Sequence, residues 1–341
     1  MKKRILCLVL AVLLLAGCAN PGQTGKKKYT ATFLTLFDTV TTVVGFDESK
    51  EAFEEKAQAV HDDLLVYHQL FDIYNSYEGV NNLKTLNDAA GGEAVQVDRK
   101  IIDLLLDCKA YYTLTGGKVN AAMGSVLQLW HEARNDAYDD PANAYLPGQE
   151  ALEEAAKHTN FDDVIIDEEN AAVRIADPAL RLDVGAIAKG WAAQRVAEAA
   201  PKGLLISVGG NVCATGAKDE KGTPWVVGVQ DPDDANANLH TLNITSGCVV
   251  TSGDYQRTYS VDGKLYHHII DPATLYPSEY FRSVTIVCDD SGLADALSTA
   301  LFLLPLEEGQ ALLQSCGAKA MWVHADGKIS YSPGFEELIR T

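Results

Sequence analysis

The chain has 341 residues, with 28 Lys and Arg against 47 Asp and Glu, a formal charge of −19 and a pI near 4.7. Its 47% hydrophobic content supports a sizeable core, and 22% charged residues spread among apolar runs exclude disorder as the main state. The acidic balance excludes a general nucleic-acid surface, which needs a positive footprint. It also opposes an anionic ligand unless local cations or a metal reverse the sign.

The chain opens on Lys2, Lys3 and Arg4, followed by an apolar stretch from Ile5 to Leu15. This is too short for a comfortable membrane span and has the proportions of an export signal. It ends in Leu15-Ala16-Gly17-Cys18, which resembles a bacterial lipobox. Residues 1–17 are therefore expected to be removed, Cys18 to be lipidated, and residues 18–28 to tether the domain to the extracytoplasmic face of the cell membrane. Three of the 28 basic residues lie in the removed segment, so the remainder carries −22 (25 against 47). Beyond Cys7 and Cys18 there are Cys108, Cys213, Cys248, Cys288 and Cys316. Their odd number and wide spacing indicate neither a disulfide framework nor a zinc site, and most are expected to be small buried hydrophobes.

Tyr29–Phe46, rich in Thr, Val and Phe, reads as one long strand or a hairpin. Lys50–Phe71 has helical spacing through Phe53, Ala57, Val60 and Leu64. Asp98 is placed to cap a helix carrying Ile101, Ile102, Leu105 and Cys108, stopped by Gly116-Gly117. Asp136–Gly148 reads as a surface loop, Phe161–Ile175 as a hairpin turned at Asp167–Asn170, and Gly185–Ala200 as an Ala-rich helix. Short strands are predicted over Leu204–Val208, Trp225–Val229, Leu239–Ile244, Leu265–Ile270 and Ser283–Cys288. A helix over Ser291–Leu304 and a hairpin turned at Asp326-Gly327 follow. The order is not βαβ, which favours an α+β domain spanning residues 29–341.

Four segments carry candidate chemistry. Asp183-Val-Gly-Ala-Ile-Ala-Lys189-Gly190 is a small-residue turn opening a helix, where exposed N–H groups and Lys189 suit a phosphate; a plain strand-to-helix turn explains it too. Val208-Gly-Gly-Asn-Val permits close backbone approach to a ligand, or is simply a β-turn. Thr251-Ser-Gly-Asp-Tyr precedes His267-His-Ile-Ile-Asp-Pro. Adjacent histidines on a strand face opposite ways, so at most one serves a site, as a general base or as a structural residue. In Ala294-Asp-Ala-Leu-Ser-Thr299, helical spacing groups Asp295, Ser298 and Thr299 on one face. That set suits a hard cation, or a capping Asp with hydroxyls bonded back to carbonyls.

Taken together and in this order, the motifs resemble the ApbE family of FAD:protein FMN transferases, over about Tyr29 to Ser332. The resemblance implies a single ApbE-like α+β domain with mixed or antiparallel sheets and flanking helices. It implies that FMN passes from FAD to a Thr or Ser hydroxyl of a partner protein, AMP leaves, and Mg²⁺ assists. It implies metal ligation by Asp295, Thr299 and the Ala186 carbonyl, with Ser298 falling where some members have Asp. FAD contacts are implied at Asp183, Lys189, Ile270, Val119 and Asn120, and at Tyr74, with Tyr77 the second choice. Phe37-Asp38-Thr39 stands where the family has Met-Gly-Thr, which places Phe37 beside FAD. His268 is the expected base and Asp295 its catalytic companion. The implied partners are exported or membrane-associated flavin acceptors of electron-transfer chains, not nucleic acid. The alternatives are an FAD pyrophosphatase using the same site with water, and a flavin-binding lipoprotein without catalysis.

Overall fold

The computed structural model describes residues 25–341; the expected signal segment and Cys18 lie outside the described residues. Its centre is an eight-stranded sheet in which every neighbouring pair is antiparallel. In spatial order the strands are Lys27–Leu36, Thr39–Asp47, Leu204–Val208, Asn211–Ala214, Gly247–Gly253, Phe281–Cys288, Lys319–His324 and Ile329–Tyr331. The Tyr29–Phe46 segment is thus a hairpin, its first strand beginning at Lys27. Phe37 and Asp38 form its two-residue turn with φ of 53° and 49°, the left-handed pair that matches the twist of the flanking strands.

Alternation along Thr39–Asp47 sends Thr41, Val43 and Gly45 to one face and Val44 and Phe46 to the other. The first face lies under the helices Lys50–Phe71, Ala188–Ala199 and Ser291–Phe302. The second is covered by the hairpin Trp225–Gln230 and Asn238–Ile244, with Phe335 beside it. Covered on both sides, Phe281–Cys288 buries Ser283, Val284, Thr285 and Ile286 in succession, which is why it reads as a run rather than an alternation.

Three of the long helices begin where the sequence offers acceptors. Ser49 caps Lys50–Phe71, Asp98 caps Arg99–Leu114 and Asp290 caps Ser291–Phe302, each accepting a backbone N–H. The last of these helices is buried along most of its length, including Leu297, Leu301 and Phe302. Burying such side chains contributes roughly 1.5–3 kcal/mol each, so tertiary packing holds this helix in place.

A smaller apolar cluster stands apart. The helix Gly124–Asp139 packs Val126, Trp130 and Ala133 with Tyr259, Ile270 and Leu275, and Trp130 Nε1 donates to the Leu275 carbonyl at 3.0 Å. This helix takes in Asp136–Asp139, which the polar composition assigns to a loop. Its N-cap, Met123, supplies no side-chain acceptor, so nothing in the sequence announces its start. Leu265–Ile270 is also shorter than expected. Pairing stops at Tyr266, because His267 turns inward and spends its ring on loop backbone.

Candidate active site

A cleft of about 420 Å³ opens between the helix-covered face of the sheet and the Trp130 cluster. All eleven residues implied above line it: Phe37, Tyr74, Val119, Asn120, Asp183, Ala186, Lys189, His268, Ile270, Asp295 and Thr299. They come from segments separated by more than 250 positions, so the fold, not local sequence, brings them together.

The centre of the site is Asp295. The residue is 4% exposed, and Oδ2 accepts the Gly190 N–H at 2.8 Å with Lys189 Nζ at 3.5 Å. Burial pushes its carboxyl above the usual range, and Lys189 opposes the shift only in part. Gly190 makes this arrangement possible, because a Cβ there would collide with the Ser291 carbonyl oxygen and lie 2.6 Å from Asp295 Cβ. In a continuous helix the Gly190 N–H would bond the Ala186 carbonyl; here it is diverted to Asp295, since the helix starts at Ala188 rather than Gly185. Among the described residues, the Ala186 carbonyl, Asp295 Oδ1 and Thr299 Oγ1 receive or make no hydrogen bond. One oxygen of a buried carboxylate and two neutral oxygens, all unengaged, are the kind of donors a hard cation takes. No group of three or more His, Cys, Asp or Glu is assembled to hold a metal among the described residues, so such a cation would rely on one carboxylate and neutral oxygens. Ser298 is not among them. Its hydroxyl bonds back to the Asp295 carbonyl at 2.9 Å and to Ser252 Oγ at 2.7 Å.

The two adjacent histidines separate as expected, though in a loop. His267 donates from Nε2 to the Ser278 carbonyl at 2.7 Å and accepts the Ile269 N–H at Nδ1; it is structural. His268 lines the cleft, and its Nδ1 lies 3.1 Å from the Gln256 carbonyl. A carbonyl can only accept, so Nδ1 carries the proton and Nε2 keeps its lone pair. Burial, then the charges of Arg257 and its neighbours, push the imidazole down to about 3. His268 is therefore a neutral acceptor at working pH.

The turn Val184–Ala188 is held by Asp183, whose Oδ1 accepts the Gly185 N–H at 2.8 Å and whose own N–H donates to the Ala121 carbonyl. Its Oδ2 is 4.0 Å from His131 Nε2, and His131 Nδ1 meets the Tyr74 hydroxyl at 2.9 Å. Tyr74 is 57% exposed at the rim. Tyr77 instead donates to Asp72 at 2.7 Å and is not among the residues lining the cleft. Asn120 shapes the wall. Its amide donates to the Thr159 carbonyl and its oxygen accepts the Ala122 N–H. The Phe37 N–H donates to His68 Nδ1 at 3.2 Å, fixing that aromatic at the cleft edge.

Sequence reasoning misses His131, Arg257 and Lys118. His131 rides on the unannounced helix. Lys118 forms a bidentate pair with Asp271 at 2.8 and 3.0 Å, a contact 153 residues apart that no local pattern shows. Asn211 stands out in the sequence only as part of a turn. It is 1% exposed and lines the cleft, Nδ2 donates to the Val208 carbonyl, and Oδ1 has no partner among the described residues. The turn before it needs glycine, since Gly209 has φ of 56° and a Cβ there would lie 2.7 Å from Thr39 Oγ1.

Residues 37–322 match the ApbE family. The chain is 32% identical over 311 residues to a protein of Treponema pallidum (strain Nichols) named FAD:protein FMN transferase, covering 86% of this chain and 84% of that one. A protein of the same name from Klebsiella pneumoniae (strain 342) is 33% identical over 267 residues, covering 74% and 80%. The crystal structure of the ApbE protein of Thermotoga maritima superposes with a TM-score of 0.80 at 30% identity, covering 92% of this chain and all of that one. The five motifs, the antiparallel sheet and the cleft on which the motifs converge thus have one common explanation: the chain belongs to the ApbE family.

Proposed function

We propose that the protein is an FAD:protein FMN transferase that moves FMN from FAD to a Thr or Ser hydroxyl of a partner protein and releases AMP. The observation that carries this reading is the convergence of five separate motifs on one cleft, with a neutral His268 and a buried Asp295 both on its wall. The names of the relatives agree with it.

In this reading His268 Nε2 takes the proton of the partner's hydroxyl as its oxygen bonds the FMN-side phosphorus. The bond from that phosphorus to the bridging oxygen breaks, and the electron pair leaves with AMP. Such a transfer asks for alignment and charge neutralisation more than covalent help. Lys189 supplies one positive charge. The unengaged oxygens of Asp295, Thr299 and Ala186 would hold Mg²⁺, which when bound neutralises pyrophosphate charge. Asp183 and Tyr74 line the remaining wall for the dinucleotide, and Phe37 closes its edge.

The N-terminal segment supports a lipid anchor at Cys18 on the extracytoplasmic face of the cell membrane, which would place the transferase beside exported or membrane-bound acceptors of electron-transfer chains. The test of the activity is to incubate the full chain with FAD, Mg²⁺ and an acceptor domain and weigh the acceptor. A gain equal to FMN less one water is expected. Free FMN and AMP with an unmodified acceptor would establish the pyrophosphatase instead.

A further inference from the structure

Three thiols outside the cleft stand in one row across the sheet. In the antiparallel ladders Cys248 lies directly opposite Cys213 on one side and Cys288 on the other. Directly paired residues project to the same face, with Cα atoms about 4.5 or 5.5 Å apart. Both spacings fall inside the disulfide window of roughly 4.4–6.8 Å, so neither partner of Cys248 is excluded by the backbone.

The side chains choose between them. Cys248 is buried, and its Sγ donates to the Cys288 carbonyl at 3.1 Å, so it is already turned toward that strand. Cys213 is sealed in the core, and burial pushes its thiol up to about 12. Cys288 is only partly buried, and its Sγ donates to the Asp290 carbonyl at 2.9 Å. Hydrogen bonding from Cys248 draws the Cys288 thiol below its ordinary range, and the same bond, with burial, pushes Cys248 up. The partly exposed thiol is thus the one favoured as thiolate, and the buried one beside it is placed to resolve.

We propose that Cys248 and Cys288 form a reversible disulfide when the protein meets a peroxide. The Cys288 thiolate attacks a peroxide oxygen, breaking the O–O bond to give a sulfenic acid, and the hydroxide released takes up the proton that Cys288 lost and leaves as water. Cys248 sulfur then attacks Cys288 Sγ, and the hydroxyl leaves as water with the Cys248 thiol proton. Two electrons pass from the sulfur pair to the peroxide, which ends as two waters. The cross-link joins the strand carrying Thr251 and Ser252 of the cleft to the strand that ends two residues before Asp290, the cap of the helix holding Asp295 and Thr299.

The test treats the full chain with hydrogen peroxide, blocks remaining thiols with a maleimide, and maps unreduced peptides by mass spectrometry. A peptide pair joining Cys248 to Cys288 is expected, two alkylatable thiols fewer than before treatment, and full recovery on adding dithiothreitol. Cys288→Ser and Cys248→Ala should each abolish that pair. Each variant's cooperative urea unfolding checks that its fold is intact. A Cys213–Cys248 cross-link, a Cys288 oxidised only to sulfinic acid, or Cys248 and Cys288 both still alkylated after peroxide would each overturn the assignment.

Discussion

Substituting Gly190 by alanine tests the packing on which the whole site depends. The new Cβ would overlap the Ser291 carbonyl oxygen and stand 2.6 Å from Asp295 Cβ, where carbon atoms settle at about 3.5–4.0 Å. The helices Ala188–Ala199 and Ser291–Phe302 must then part by about 1 Å. Both are buried against the same core, and overpacking of this kind costs roughly 1–3 kcal/mol. The same movement would take the Gly190 N–H from 2.8 Å to beyond hydrogen-bonding reach of Asp295 Oδ2. A lost bond to a buried carboxylate adds about 1.5–3 kcal/mol. The expected total is about 2.5–6 kcal/mol, a large share of a typical domain's stability. The measurement is urea unfolding with linear extrapolation, set against Gly148→Ala. Gly148 is exposed, and a methyl group there would have nothing within 4 Å, so its change should stay within about 0.5 kcal/mol. If Gly190→Ala unfolds within about 0.5 kcal/mol of the parent, the two helices do not meet at this distance and the account of the Asp295 site fails.

Three further substitutions separate the roles in the cleft. Asp295→Ala should abolish FMN transfer even with FAD present, and FAD affinity, read by flavin fluorescence, should no longer respond to Mg²⁺; undiminished turnover at saturating Mg²⁺ would remove Asp295 from the metal site. His268→Ala should slow transfer on the order of 10²-fold while FAD affinity holds, and a collapse of affinity instead would make His268 a binding residue. Because burial holds His268 down to about 3 in the free protein, it stays unprotonated as pH is lowered from about 7 to about 5. kcat/KM, which reports free-enzyme groups, should therefore keep its acid limb well below about pH 6.5. Asn211→Ala should weaken FAD binding by about tenfold, the worth of roughly one hydrogen bond, because its buried Oδ1 lacks a protein donor among the described residues. Unchanged affinity would show that this oxygen faces no ligand donor.

Much of this architecture is written in local pattern. Lys50–Phe71 and Arg99–Leu114 combine a capping Ser or Asp with helical apolar spacing, and they form where the sequence places them. What escapes is pairing that only tertiary context supplies. Gly247–Gly253 is a strand of Gly, Cys, Val, Thr and Ser that owes its extension to neighbours on both sides. Asn211–Ala214 is four residues long and exists because Gly209 and Gly210 fold it back on Leu204–Val208. In the site the motifs name residues that the fold gathers into one cleft, but motif alone does not show how they are held there. That the Ala186 carbonyl is left without a hydrogen bond follows from Gly190 giving its N–H to Asp295, more than a hundred positions away. That the Ser298 hydroxyl is engaged follows from Ser252 and the Asp295 carbonyl holding it.

The charge balance also acquires a location. The cleft wall carries Asp38, Asp72, Asp183 and Asp295 against Lys118, Lys189 and Arg257, and Lys118 is already committed to Asp271. A pyrophosphate therefore meets a wall with no positive surplus, inside a chain of net −19. A divalent cation meets the reverse difficulty, since it finds a single carboxylate and two neutral oxygens. Mg²⁺ characteristically completes its shell with substrate phosphates where the protein offers one or two carboxylates. Each ligand thus supplies what the other lacks, and their binding must be coupled. The coupling is reciprocal, so the factor by which Mg²⁺ tightens FAD equals the factor by which FAD tightens Mg²⁺. Calorimetric titrations in both orders should return that common factor, and Asp295→Ala should bring it to one in both. Tight Mg²⁺ binding without FAD would mean that the protein alone completes the cation's shell, through donors other than these three.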